Sequence, residues 1–194
     1  MSADPQPAPP GDVTAVVLAG GTSRRFGSDK LVAPFRGSTV LETVLRSLPG
    51  EWPVVVVGPV RDCGRAVTWV REDPPGGGPL AGIGAGLTQV RTPLVAVVAG
   101  DMPDAGSALV ALVGALRTAP PEVDGVVATD DDAVRNPLLA AYRASAVRGM
   151  LPTPAHDRPA KLLLGLAHVD LVVHGSATRD VDTPADLEEL RGSP

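Results

Sequence analysis

Three strand-length runs, Val13–Leu18, Pro53–Gly58 and Leu94–Ala99, are apolar almost without interruption rather than at alternate positions. A strand of that kind must be covered on both faces, the condition met by a parallel sheet flanked by helices. The segments between them carry the helical period. Ser38–Leu48 places Val40, Leu41, Val44, Leu45 and Leu48 on one face, with Ser38 as the expected N-cap, and Pro79–Val90 begins with a proline in its first turn. Ala66–Val70 reads as a shorter strand, Ala105–Leu116 as a helix, and Val123–Ala128 and Leu138–Tyr142 as two more strands. Lys161–Leu166 reads as a short helix, His168–His174 as a last long strand, and Pro184–Leu190 as a closing helix. The short acidic connection between 123–128 and 138–142 predicts an antiparallel insertion. The expected fold is therefore α/β: a single-domain, Rossmann-like three-layer sandwich over residues 13–191 with a mixed, mostly parallel sheet. Residues 1–12, proline-rich and acidic, are expected to form a disordered tail rather than a secretory signal.

Several functions are excluded by composition. With a net charge of −5 and five scattered aromatic residues, the chain lacks both the cationic surface and the stacking platform of a nucleic-acid binder. One cysteine, Cys63, rules out an intramolecular disulfide, and His156, His168 and His174 lack zinc-motif spacing. No apolar run reaches the length of a membrane span, so no membrane association is expected, and a cytoplasmic protein is.

In open α/β sheets, ligands sit beyond the C-terminal ends of the strands. Three conspicuous polar segments, Gly20–Lys30, Arg71–Gly78 and Gly100–Asp104, fall at such ends, so one topological rule gathers them on one edge. In the first, glycines allow backbone N–H groups to approach an anion, and Arg24, Arg25 and Lys30 add positive charge. The segment fits neither the P-loop nor the dinucleotide fingerprint. On physical grounds alone it reads as an ordinary loop more readily than as an anion site. By itself the Asp101-Met-Pro turn likewise reads as a turn former or helix cap before it reads as a ligand, with Asp104 as a candidate for the cap.

The string Leu18-Ala-Gly-Gly-Thr-Ser-Arg-Arg-Phe-Gly-Ser-Asp-Lys30 resembles the opening signature of the MobA-like nucleotidyltransferases, the molybdenum cofactor guanylyltransferases, with Phe26 in place of a methionine. Four further segments resemble motifs of that family in order: Asp73 ahead of Gly78-Pro79-Leu80-Ala81-Gly82, Gly100-Asp101-Met102-Pro103, Asn136-Pro137-Leu138 with Tyr142-Arg143, and Asp180–Leu187. The resemblance implies transfer of GMP from GTP to the phosphate of molybdopterin with release of pyrophosphate. A cytidylyl- or other nucleotidyltransferase acting on a different small phosphorylated acceptor, or a nucleotide-binding module without turnover, are the alternatives. It implies Mg²⁺ on Asp101; phosphate contacts from Lys30 and from Arg24 or Arg25; nucleotide contacts along Leu18, Ala19, Gly20 and Gly21; and a base or ribose contact from Asp73, with Gly78 and Pro79 shaping the base pocket. Two departures stand out. Glycine occupies position 58, where the family has asparagine. Asp180 and Asp182 occupy asparagine positions, so Asp182 is either a second metal ligand or a cap for the closing helix. A monomer or weak homo-oligomer with transient contacts to cofactor-carrying proteins is expected.

Overall fold

The computed structural model describes residues 11–21 and 23–192; most of the expected N-terminal tail lies outside these residues. Among the described residues, nine strands and five α-helices follow one another as β1 (Val13–Leu18), β2 (Pro34–Phe35), β3 (Ser38–Thr39), α1 (Val40–Ser47), β4 (Val54–Val57), β5 (Thr68–Val70), α2 (Gly78–Leu87), β6 (Leu94–Ala99), α3 (Gly106–Thr118), β7 (Gly125–Thr129), β8 (Arg135–Arg143), α4 (Ala144–Met150), β9 (His168–Val172) and α5 (Pro184–Gly192). Short 3-10 turns occupy Lys30–Val32, Ala160–Gly165 and Gly175–Thr178. β2 and β3 form a separate two-stranded ribbon.

The main sheet has the order β5-β4-β1-β6-β8-β7-β9. Neighbours pair in parallel except at β8, which runs antiparallel to both β6 and β7. The insertion expected from the acidic turn is thus the one reversal in a mixed sheet. Successive residues of the central strands feed two cores. Val13, Ala15 and Val17 of β1 join the core built with Val44 of α1, Leu112 of α3 and Leu187 of α5. Val16 joins the opposite core, with Ile83 of α2, Val147 of α4 and Leu163. Uninterrupted apolarity in these strands is the signature of burial on two sides. Helix α2 comes especially close to the sheet: a Cβ on Gly86 would stand 2.7 Å from Val16 Cγ1.

From β1 the chain crosses by α1 to β4 on one side and later returns by α2 to β6 on the other. The strand order therefore reverses at β1, and the loops after β1 and β6 open a crevice at its C-terminal end. No helix among the described residues is long and apolar enough to cross a membrane.

Local differences from the sequence expectation have local causes. Helix α1 is capped by Thr39, not Ser38: Thr39 Oγ1 accepts the Glu42 N–H at 3.2 Å while the Glu42 carboxylate accepts the Thr39 N–H at 2.9 Å, a capping box. Ser38 lies one residue earlier, in the β2–β3 ribbon, and its hydroxyl donates to Glu42. Helix α4 escaped the sequence reading because it is a single short element with few core residues, Ala144 and Val147. The His168–His174 strand stops at Val172, and the short helix expected over Lys161–Leu166 is a 3-10 turn over Ala160–Gly165. The capping box yields a direct test: Thr39→Ala should lower unfolding stability by about 1 kcal/mol in denaturant titration, and Ser38→Ala by less.

Candidate active site

The crevice is divided into two connected chambers that share Gly20, Gly21 and Asp101. The first, about 330 Å³, is mostly apolar and lined by Leu18, Val57, Gly78, Pro79, Ala99 and Leu138, with Glu72 and Asp101 as its acidic residues. The second, about 350 Å³, is polar and lined by Ser23, Arg24, Arg25, Lys30 and Asp182. Both lie in the size range of small-ligand sites.

At the junction stands a compact charge cluster. Lys30 Nζ lies 2.7 Å from Asp101 Oδ2 and 2.9 Å from Asp182 Oδ1. Burial works against the Lys30 charge, but the hydrogen bond and charge of Asp101, joined by those of Asp182, outweigh it, so its pKa is raised above the ordinary lysine value. Arg25 Nη1 reaches Asp182 Oδ2 at 2.5 Å, on an arginine side chain 77% exposed, where an ion pair contributes little. Asp180 completes the group: one carboxylate oxygen each from Asp101, Asp180 and Asp182 lie within 4.8 Å of one another. Desolvation first, then the charges of Asp101 and Asp182, raise the Asp180 pKa above the usual carboxylate value. Asp101 Oδ1 is buried with no hydrogen-bond partner among the described residues. Three hard anionic oxygen donors, one of them buried and unsatisfied, fit a small divalent cation such as Mg²⁺.

Sequence-distant segments meet here through backbone bonds. The turn after β6 presents Asp101, and the Val181 N–H donates to the Asp101 carbonyl at 2.9 Å. Val181 is fully buried, so its neighbours Asp180 and Asp182 are set against Asp101 from the other side. The Asp182 carboxylate does not cap α5. Thr183 does: its Oγ1 accepts the Asp186 N–H, and Asp186 Oδ2 accepts the N–H groups of Asp182 and Thr183. Nor does Asp104 cap α3; it accepts from Arg36 Nη1 at 2.5 Å.

Most residues singled out in the sequence line the two chambers, and two do not. Asp73 is exposed and lines neither chamber. The chain leaving β5 reaches the apolar chamber with Glu72, whose Oε1 accepts the Gly76 N–H at 3.0 Å and so ties the loop down one residue earlier. Ala19 is fully buried and its backbone is already engaged: its N–H donates to the Val57 carbonyl at 2.7 Å, and its carbonyl accepts from Arg61. Arg61 was invisible to pattern reading because two of its partners are main-chain carbonyls.

Gly58, the departure after β4, has a steric reason. Its φ is +148°, and a Cβ there would lie 2.5 Å from the Ala19 carbonyl oxygen. Any side chain at 58 would collide with the start of the glycine-rich loop. Lys30 is singular for another reason. The chain holds two lysines, Lys30 and Lys161, against fifteen arginines, and the one lysine in the cluster places a compact ammonium where a guanidinium fork would span both carboxylates.

Residues 15–170 match the model of the MobA-like NTP transferase domain. The chain belongs to this family. A Natronomonas pharaonis relative named probable molybdenum cofactor guanylyltransferase is 31% identical, over 93% of this chain and 98% of its own. A Deinococcus radiodurans relative of the same name is 32% identical, over 93% of this chain and 94% of its own. Among solved structures, molybdopterin-guanine dinucleotide biosynthesis protein A from Archaeoglobus fulgidus superposes with a TM-score of 0.72 at 24% identity, over 92% of this chain and 96% of that one, a likeness of fold. The chain is a nucleotidyltransferase by family. Gly58→Ala should lower stability by about 1–3 kcal/mol through strain at the stem of the glycine-rich loop, read by denaturant titration. A change under about 0.5 kcal/mol would mean that this backbone relaxes freely.

Proposed function

We propose that this protein transfers GMP from GTP to the terminal phosphate of molybdopterin, releasing pyrophosphate, with Mg²⁺ as the required cation. The observation that carries the reading is the junction of the chambers, where Lys30, Asp101 and Asp182 meet between an apolar slot and a basic one. The names of the two bacterial and archaeal relatives supply the base and the acceptor.

In this reading the base and ribose enter the apolar chamber between Leu18 and Pro79, and Glu72 offers an acceptor suited to the donor edge of guanine. The triphosphate extends into the polar chamber, toward Arg24, Arg25 and Lys30. An acceptor phosphate oxygen then attacks the α-phosphorus; the new P–O bond forms as the α–β P–O bond breaks, and pyrophosphate leaves in line. Such a transfer depends on alignment and charge neutralisation more than on covalent help from the protein. Asp101, with Asp182 and Asp180 beside it, would hold Mg²⁺, which when bound neutralises phosphate charge and orients its oxygens. Lys30 exchanges the two carboxylates for the β- and γ-phosphates and carries charge toward the leaving pyrophosphate. Arg24 and Arg25, both exposed, contribute longer-range attraction for the incoming polyanion.

Incubation with molybdopterin, Mg²⁺ and each of the four ribonucleoside triphosphates should yield pyrophosphate and the pterin dinucleotide with GTP, at least tenfold faster than with the others. Equal rates with CTP would overturn the base assignment. Asp182→Asn should raise the Mg²⁺ concentration for half-maximal activity with little loss at saturation, since the amide oxygen still ligates but brings no charge. An unchanged midpoint would remove Asp182 from the metal site.

A further inference from the structure

Arg61 follows β4 and touches neither chamber, yet its side chain is only 9% exposed. Nε donates to Asp29 Oδ2 at 2.8 Å, and Nη1 donates to the Ala19 carbonyl at 2.9 Å and the Pro59 carbonyl at 3.1 Å. Ala19 and Asp29 are the two stems of the glycine-rich loop. Asp29 is also the N-cap of the 3-10 turn Lys30–Val32, where its Oδ1 accepts the Leu31 N–H at 3.2 Å. One carboxylate therefore takes the guanidinium with one oxygen and holds the turn that begins at Lys30 with the other.

An almost buried cation is costly unless its hydrogen bonds are met, so this arrangement demands a benefit elsewhere. Arg65 provides the comparison within the same loop region. It donates to the carbonyls of Leu45, Leu48, Pro49 and Trp52, binding the end of α1 to the chain before β4, far in sequence from the glycine-rich loop. Arg61 instead ties two points that are ten positions apart; Gly20, Gly21, Ser23, Arg24 and Arg25 of the polar chamber lie between them, and Lys30 follows the second. Gly58 makes room for this, since a side chain there would strike the same Ala19 carbonyl that Arg61 binds.

We propose that Arg61 is a positioning residue for nucleotidyl transfer: by gripping the Ala19 carbonyl and the Asp29 carboxylate in one planar fork, it fixes the span of the glycine-rich loop and hence the place from which Lys30 meets the triphosphate. The triphosphate part rests on the function proposed above; the placement of Lys30 does not. A lysine at position 61 carries the charge but presents one nitrogen, so it cannot reproduce the fork.

The two-lysine composition makes the test direct. Protein carrying ¹³C at the lysine ε-carbon should give two ε-methylene signals, with Lys30 assigned by its loss in Lys30→Met and exposed Lys161 serving as reference. In the metal-free, nucleotide-free protein, Arg61→Met and Arg61→Lys should both move the Lys30 signal toward that of Lys161. Arg65→Met should lower the melting temperature and leave the Lys30 signal in place. In steady-state assays Arg61→Met should lower kcat by about tenfold to a hundredfold, with KM for the pterin acceptor changed less than twofold, and Arg65→Met should change neither by more than twofold. If Arg61→Met does not fold, Asp29→Asn, which retains an oxygen for the Leu31 cap but loses the charge facing Arg61, must produce the same movement of the Lys30 signal. A Lys30 signal unmoved in the folded variants would overturn the proposal and leave Arg61 a stabilising residue only. If the signal moves in the Arg61 variants but the unsubstituted protein turns over no GTP, the guanylyl reading is overturned and the role of Arg61 toward Lys30 stands.

Discussion

Burial of both faces of β1 is the constraint from which the other features follow. Because Val13, Ala15 and Val17 look into one core and Val16 into the other, helices must lie on each side, and the chain must leave β1 in one direction and return in the opposite one. That reversal leaves the end of β1 uncovered by any crossover, and the crevice forms there. The glycine-rich loop, the turn bearing Asp101 and the loop bearing Glu72 are all extensions of strands whose packing is decided in the two cores. The site is thus placed by hydrophobic burial well away from any of its own charges.

Within the crevice the balance is electrostatic. Asp101, Asp180 and Asp182 crowd three carboxylates together, and Lys30 with Arg25 answers two of them. Lys30 matters more than Arg25 in this balance, since Lys30 and Asp101 are both sheltered from water whereas Arg25 is open to it. The unsatisfied oxygen of Asp101 marks where the protein alone does not complete the arrangement. Under the function proposed above, a triphosphate would draw Lys30 off these carboxylates and so trade an internal ion pair for a ligand.

The long apolar runs were readable in the sequence because two-sided burial leaves so strong a pattern, and the reversed strand β8 because a short acidic turn cannot carry a crossover. Elements that depend on few core residues or on backbone partners were not. Helix α4 offers too little periodicity, the β2–β3 ribbon is two residues wide, and the choice between Ser38 and Thr39 as cap depends on where the ribbon ends. In the site, charge-bearing residues next to glycines could be singled out by type and position. Which of Glu72 and Asp73 faces the chamber depends on a hydrogen bond to Gly76, and Arg61 binds main-chain carbonyls that no sequence pattern displays. The convergence of Asp180 and Asp182 on Asp101 likewise requires the Val181–Asp101 backbone bond, a contact across eighty positions.

That last bond bears on how the protein comes into being at the ribosome. Lys30 and Asp101 emerge in the first part of the chain, but β6 keeps an unpaired edge until β8 has been made, and the strand that fills it is followed by a further stretch before Asp180 and Asp182 appear. Pairings this distant in sequence form late and slowly. A nascent chain therefore displays an unpaired strand edge until β8 is made and half a charge cluster until residues 180–182 have been made, and acquires the complete carboxylate set only as Val181 pairs with Asp101. The carboxylate set is, in this fold, assembled later than the sheet edge on which Asp101 waits.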